Sequence, residues 1–133
     1  MAAVLQLVDE TPGARSEPRP AVELHLASER ITARELIRRR VEHEVGEYNQ
    51  RPRKVFEGLV QPTDAERALK GYRLKKPRAL DVEEQVRIAL EAFEANAFFL
   101  LFNDRQVESL DEELVITRRG VVNFVKLVPL VGG

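Results

Sequence analysis

The stretch that decides the fold is Phe98 to Gly133, FFLLFNDRQVESLDEELVITRRGVVNFVKLVPLVGG. Its first five residues are bulky and apolar, which predicts a central strand buried on both faces. NDRQ then predicts a turn, and VESLDEELVI a short crossing segment that contains a strand. GVVNFVKLVPLV predicts the final strand, which is followed only by two glycines. The apolar strand is therefore followed directly by two residues that lack side chains.

Two further strands are predicted near the N-terminus. Residues 3–10, AVLQLVDE, form a mostly apolar run, and residues 21–27, AVELHLA, alternate apolar with polar side chains. The segment between them, TPGARSEPRP, contains three prolines and a glycine, which predicts a loop or wide turn. The two strands are expected to pair as an antiparallel hairpin.

Two helices are indicated by apolar residues at helical spacing, in place of the alternation seen in the strands, and by capping residues. Thr32 and Glu35 have the spacing of a capping box, and apolar residues then recur at helical spacing through residues 31–49. Asp81 and Glu84 repeat that spacing at the start of a second helix over residues 81–97. One face of the first helix is apolar; it carries Ala33, Leu36, Ile37, Val41, Val45 and Tyr48.

The segment between the helices shows little hydrophobic periodicity and is rich in positive charge. Val55–Val60 predicts a short strand, Thr63 and Glu66 predict one or two helical turns over residues 63–72, and residues 72–80 are predicted to be irregular. Residues 51–80 hold nine Lys and Arg against three Asp and Glu, whereas the rest of the chain holds twelve against nineteen. The middle of the chain is therefore basic and the remainder acidic.

Length and composition narrow the possible classes of protein. A chain of 133 residues with 44% hydrophobic and 32% charged residues is expected to form one domain, residues 1–133. The absence of cysteine excludes disulfides, thiolate metal sites and a cysteine nucleophile. No apolar run approaches the roughly 20 residues that cross a bilayer, and the N-terminus lacks a basic segment typical of signal peptides. We therefore expect a cytoplasmic protein with no membrane partner.

The order of elements and the final stretch together resemble the ubiquitin-like β-grasp superfamily. Residues 98–133 are similar to the C-terminal half of its sulfur-carrier branch, which includes the molybdopterin synthase small subunit and the thiamine sulfur carrier. The similarity rests on Asn103 at the turn, the acidic segment 111–113, and the P-x-x-G-G pattern of residues 129–133. It implies an α+β fold, a mixed sheet packed on a helix, with a C-terminal tail at 129–133. Residues 49–97 depart from the family as a helical, basic insertion.

In this family an activating enzyme uses ATP to adenylate the terminal carboxylate. The resemblance therefore implies that Gly132 and Gly133 form the reactive terminus, and that the chain itself binds no cofactor. Glycine has no Cβ, which lets such a tail enter a narrow channel. Pro129 removes a backbone donor at the exit from the last strand. The residues expected to be recognised beside the glycines are Leu127, Pro129, Leu130 and Val131.

The resemblance leaves three functions open. In the favoured interpretation the activated carboxylate is transferred to a target amine, as in ubiquitin-like modifiers. In the first alternative it becomes a thiocarboxylate that delivers sulfur. In the second, the chain is a β-grasp interaction module that is never activated. The implied partners are an adenylating enzyme, with a conjugating enzyme and a deconjugating metalloprotease for a modifier, or a sulfur-accepting enzyme for a carrier.

The remaining motifs add a docking surface but no catalytic site. Six basic residues could dock an acidic partner or bind phosphates: Arg51, Arg53, Lys54, Arg73, Lys75 and Lys76. Phe56 and Tyr72 are the only aromatics nearby, too few for base stacking, so nucleic acid is disfavoured. His25 and His43 have no neighbours at metal-ligand spacing, so no metal site is expected. We predict a carrier or substrate and not an enzyme.

Overall fold

The first and last strands of the chain are neighbours in one sheet. The computed structural model describes residues 2–12, 18–68 and 71–126. The chain divides into two compact units, Met1–Leu36 with Phe93–Gly133, and Ile37–Ala92. In chain order the elements are β1 Ala3–Glu10, β2 Arg19–Leu26, β3 Arg30–Thr32, α1 Ala33–Gln50, β4 Val55–Phe56, β5 Ala65–Arg67, β6 Tyr72–Leu74, α2 Val82–Glu94, β7 Phe98–Phe102, β8 Arg105–Val107, β9 Glu113–Val115 and β10 Arg119–Lys126.

The first unit contains a mixed five-stranded sheet with the strand order β2-β1-β10-β7-β8. β1 and β10 run parallel, with Leu5 opposite Gly120, while the other three pairs are antiparallel. The predicted hairpin of β1 and β2 is confirmed, with Leu5 opposite Leu24. β10 is therefore the middle strand, and it has a hydrogen-bonded neighbour on each side.

One face of this sheet is buried because apolar residues occupy every second position of its strands. Phe124 and Leu100, on β10 and β7, are completely buried. The rings of Phe98 and Phe124 stack with their centroids 5.9 Å apart, and Phe93 lies 6.0 Å from Phe98. The other buried side chains of this face are Ala3, Leu5, Leu7, Val22, Leu24, Leu26, Phe102, Val107 and Val122.

Two short connections complete this unit. The predicted turn after β7 is confirmed: Asn103 and Asp104 have φ of 52° and 59°, the left-handed pair that closes a tight two-residue hairpin. β3 and β9 form a separate two-stranded sheet with Ile31 opposite Leu114. The crossing segment before the last strand is thereby held in place by backbone hydrogen bonds to the strand that precedes α1.

Both predicted helices are present, and each begins with the expected cap. The Thr32 hydroxyl accepts a hydrogen bond from the Glu35 N–H at 3.2 Å, and Asp81 accepts one from the Glu84 N–H at 3.2 Å. α2 ends at Glu94, three residues earlier than predicted. Asn96 has a φ of 61° and donates its N–H to the Phe93 carbonyl, so a left-handed residue ends the helix.

The second unit contains a small antiparallel sheet where a helix was predicted. The predicted helical turns over residues 63–72 are wrong: β5 and β6 pair there, with Ala65 opposite Leu74. Asp64 has a φ of 62°, which a right-handed helix does not accommodate. Tyr72–Leu74 was predicted to be irregular but is the middle strand of the order β4-β6-β5. Of the predicted strand Val55–Val60, only Val55–Phe56 forms.

The burial of β7 differs from the prediction, whereas its central position is confirmed. β7 lies between β10 and β8 and so has a neighbour on each side, although β10 is the middle strand of the five. Only one face of β7 is fully buried, because Phe99 and Leu101 on the other are partly exposed. The protein is α+β with a mixed sheet, which is compatible with a β-grasp. The single domain at 1–133, the insertion at 49–97 and the tail at 129–133 stay predictions.

Candidate functional site

The candidate site begins at Lys126, the last described residue of the middle strand of the five-stranded sheet. Val125 of β10 lies opposite Glu10 on one side and Phe99 on the other, and Lys126 lies opposite Phe98. The Lys126 ammonium is 3.9 Å from the Asp9 carboxylate. The backbone of β10 is thus held by two neighbouring strands up to Val125 and by β7 alone at Lys126.

The predicted tail lies outside the described residues. Its reactive terminus and its recognition residues follow directly after Lys126; they are Leu127, Pro129, Leu130, Val131, Gly132 and Gly133. Those assignments stay predictions. Seven residues separate Lys126 from the end of the sequence, which corresponds to at most about 25 Å of fully extended chain.

The second face of the five-stranded sheet is apolar and partly exposed. We call it the outer face. It consists of the residues that alternate with the buried set, and Val121 is 50% exposed there. Polar Gln6 and Asn123 lie among the apolar side chains. The apolar members are Val4, Val8, Phe99, Leu101, Val121 and Val125. Sequence reasoning did not predict this face. The signal for it was that every residue of FFLLF is apolar, which places apolar side chains on both faces of the strand.

Apolar and polar side chains alternate across the outer face towards Lys126. The register places Val8 opposite Asn123, Asn123 opposite Leu101, and Val125 opposite Phe99. A hollow of about 600 Å³ lies towards the start of β10. Apolar Leu101 and Val121 line it together with polar and charged residues, which are Glu10, Asn103, Asp104, Arg119 and Asn123. A partly exposed apolar surface bordered by polar groups is typical of a protein-interaction surface.

The acidic segment 111–113 is paired with arginines within the first unit. The distance is 3.3 Å from Arg34 to Asp111, 2.5 Å from Arg105 to Glu112, and 2.5 Å from Arg30 to Glu113. The hydrogen bond from Arg105 lowers the pKa of the Glu112 carboxyl. These carboxylates are therefore bound within the fold, and exposed ion pairs of this kind contribute little to stability.

The structure brings together the two parts of the predicted basic surface in the second unit. Lys54 directly precedes β4, and Lys75 directly follows β6. Because β4 and β6 are antiparallel neighbours, these positions meet at one end of the small sheet. The Leu74 N–H donates to the Lys54 carbonyl at 2.6 Å and closes that end. Arg73 lies apart, within β6, opposite Val55 and Glu66.

All six predicted basic residues are exposed. Among the residues that the structure describes, none of their side chains forms an ion pair or a hydrogen bond. Arg78 differs, because its guanidinium donates to the Thr63 carbonyl at 2.7 Å. The six charges are therefore not used to hold this unit together, whereas Arg78 is.

The phenol of Tyr72, the residue before Arg73, has a raised pKa. Burial raises its pKa, the nearby Arg67 opposes the shift, and the Glu44 carboxylate adds to it. The folded protein therefore favours the neutral phenol, so the free energy of unfolding should fall as pH rises above about 10, the ordinary pKa of tyrosine. In Tyr72→Phe this part of the pH dependence should vanish. Urea unfolding at several alkaline pH values would measure it, and parallel pH slopes for the two chains would contradict it.

Within the described ranges, no group of three or more His, Asp or Glu side chains is placed to hold a metal ion. His25 lies 3.3 Å from Glu23, and His43 lies 3.4 Å from Glu47, each on an exposed surface. No helix in the described part of the chain is long and apolar enough to span a membrane. Comparisons with protein-family models, curated proteins and solved structures found no significant match to this chain.

Proposed function

We propose that this chain is a ubiquitin-like protein modifier whose Gly133 carboxylate is adenylated by an activating enzyme and then transferred to an amine of a target protein. In the first step a carboxylate oxygen attacks the α-phosphate of ATP and pyrophosphate leaves. In the second, the target amine attacks the acyl carbonyl, AMP leaves, and an isopeptide bond forms. The chain supplies the carboxylate and the binding surface, and the partner enzymes supply the catalysis.

One observation carries this proposal: the middle strand of the mixed sheet extends at least to Lys126, seven residues before Gly133, beside the apolar outer face. The residues after Lys126 are therefore attached to a strand that is hydrogen-bonded to a neighbour on each side. The adjoining Val125 and Phe99 supply an apolar surface on which an enzyme can grip the protein while its active site receives the glycines.

A sulfur carrier is the second candidate, because the P-x-x-G-G pattern of residues 129–133 resembles that branch more closely. A sulfide nucleophile would then attack the activated carbonyl in place of an amine, AMP would leave, and a C-terminal thiocarboxylate would form. The two functions share the adenylation step and differ only in the nucleophile. A β-grasp interaction module, which uses the outer face but is never activated, is the third candidate.

Mass spectrometry of the C-terminal tryptic peptide distinguishes these candidates. The chain would be tagged at its N-terminus, expressed in its native host and digested, because trypsin cleaves after Lys126 and releases LVPLVGG. We expect to find this peptide as a branch on lysines of other proteins. A free peptide with one oxygen exchanged for sulfur would instead identify a sulfur carrier. An ordinary carboxylate under all growth conditions, or no free α-carboxylate at Gly133, would contradict both.

Gly133→Asp should abolish the branched peptides, because a side chain next to the reacting carbonyl obstructs the narrow channel that the proposal requires. Gly46→Asp is the matched control. Gly46 is exposed in α1, and a Cβ there meets no atom within 4 Å. Branching in Gly46→Asp should equal that of the unsubstituted chain. Equal branching in Gly133→Asp would refute the assignment of the reactive residue.

A further inference from the structure

We propose that one end of the small three-stranded sheet in the second unit binds an acidic segment of a partner protein. We call this surface the cationic end; it consists of Arg51, Arg53, Lys54, Lys75 and Lys76. This surface does not include Gly133, so the proposal is independent of whether the Gly133 carboxylate is activated.

The cationic end is created by the fold. Lys54 and Lys75 are more than twenty positions apart in the sequence, yet the antiparallel pairing of β4 with β6 sets them at the same sheet end. Arg51, Arg53 and Lys76 flank these two residues in the sequence. No Asp or Glu occurs in residues 51–56 or 71–80. Five like charges therefore meet without a carboxylate from the same strands, an arrangement that costs stability through mutual repulsion.

The backbone beneath these charges is held in position. The Arg51 N–H donates to the Tyr48 carbonyl at 3.1 Å, and the Tyr48 hydroxyl donates to the Arg53 carbonyl. On the other side, the hydrogen bond from Leu74 to Lys54 joins the two strands. A surface whose backbone is already ordered binds with a smaller loss of entropy than a mobile loop.

Carboxylates fit this surface better than nucleic acid does. The aromatic rings near the cationic end are not available for base stacking, because Tyr48 and Phe56 are buried and Tyr72 is half-buried. The rest of the chain outside residues 51–80 carries twelve basic and nineteen acidic residues, a net negative charge that repels a polyphosphate at long range. A short acidic peptide carries fewer charges than a long polyphosphate and is repelled less by that net negative charge.

Fluorescence anisotropy with labelled decaglutamate and the full chain tests this proposal. Decaglutamate should bind, and binding should weaken as salt is raised. The double variant Lys75→Gln, Lys76→Gln should weaken binding by about three- to tenfold, since each exposed charge contributes modestly. A control of equal charge change is Arg19→Gln with Arg87→Gln, on the exposed start of β2 and the exposed face of α2. It should change the affinity by less than about twofold.

Two results would overturn the proposal. An equal loss of affinity in the two double variants would show that decaglutamate senses only the total charge of the chain. Tighter binding of a short DNA duplex than of decaglutamate, weakened by the same Lys75 and Lys76 substitutions, would assign the surface to nucleic acid. Circular dichroism of each variant confirms that the exposed substitutions leave the fold intact.

Discussion

Phe124→Ala should lower the free energy of unfolding of the first unit by about 3–5 kcal/mol. Phe124 is completely buried in the middle strand of the sheet, where its ring stacks on Phe98. Alanine removes the ring and leaves a cavity. Because β1 and β7 hold β10 on both sides, the strands cannot close that cavity without breaking their hydrogen bonds. Urea unfolding followed by circular dichroism would measure the loss.

The matched control is Val121→Ala, in the same strand but on the outer face. Val121 is 50% exposed, so its truncation removes little buried area and should cost only about 0.5–1 kcal/mol. A similar loss for the two variants would contradict the assignment of the buried face. The comparison also shows that the outer face can be altered without unfolding the protein, which is required of an interaction surface.

Glu44→Leu should destabilise the second unit by about 3–5 kcal/mol. The Arg40 side chain is 1% exposed, and its guanidinium lies 3.2 Å from the Glu44 carboxylate one turn along α1. The other oxygen of Glu44 accepts a hydrogen bond from the Leu59 N–H at 3.2 Å. Leucine removes both acceptors and leaves the buried guanidinium without this counter-charge. The loss would be measured as a shift of the urea midpoint.

Two further variants separate this buried pair from an ordinary surface pair. Glu47→Leu removes an exposed carboxylate of α1, 3.4 Å from His43, and should cost no more than about 1 kcal/mol. The double variant Arg40→Met, Glu44→Leu replaces the pair by apolar side chains of similar size and should recover most of the loss. Failure of the double variant to recover stability would show that Glu44 acts mainly through Leu59.

Long periodic segments could be predicted from the sequence because each carries its own signal. The helix after Thr32 combines a cap with several turns of apolar spacing, and the Asn103–Asp104 turn has the residue types that tolerate a positive φ. Short strands could not be predicted. Ala65–Arg67 has only three residues, and Thr63 and Glu66 have the spacing of a helix capping box. The segment is nevertheless a strand, because it pairs with Tyr72–Leu74.

The candidate site likewise has features that the sequence predicts and features that it does not. The terminal residues Pro129 to Gly133 and the basic residues 51–76 were evident in the sequence, since identity and charge are local properties. The outer face was not, because Val121, Leu101 and Val8 come from three separate strands.

The sequence by itself determined the helices, the long strands, the turn after Phe102 and the chemical character of the tail. These follow from side-chain type, spacing and backbone preference within a few residues. Only the tertiary structure decided that β10 is the middle strand, which apolar set remains partly exposed, and that Lys54 and Lys75 meet at one sheet end. Each of these depends on hydrogen bonds between backbone segments far apart in the chain, and no local pattern specifies such a pairing.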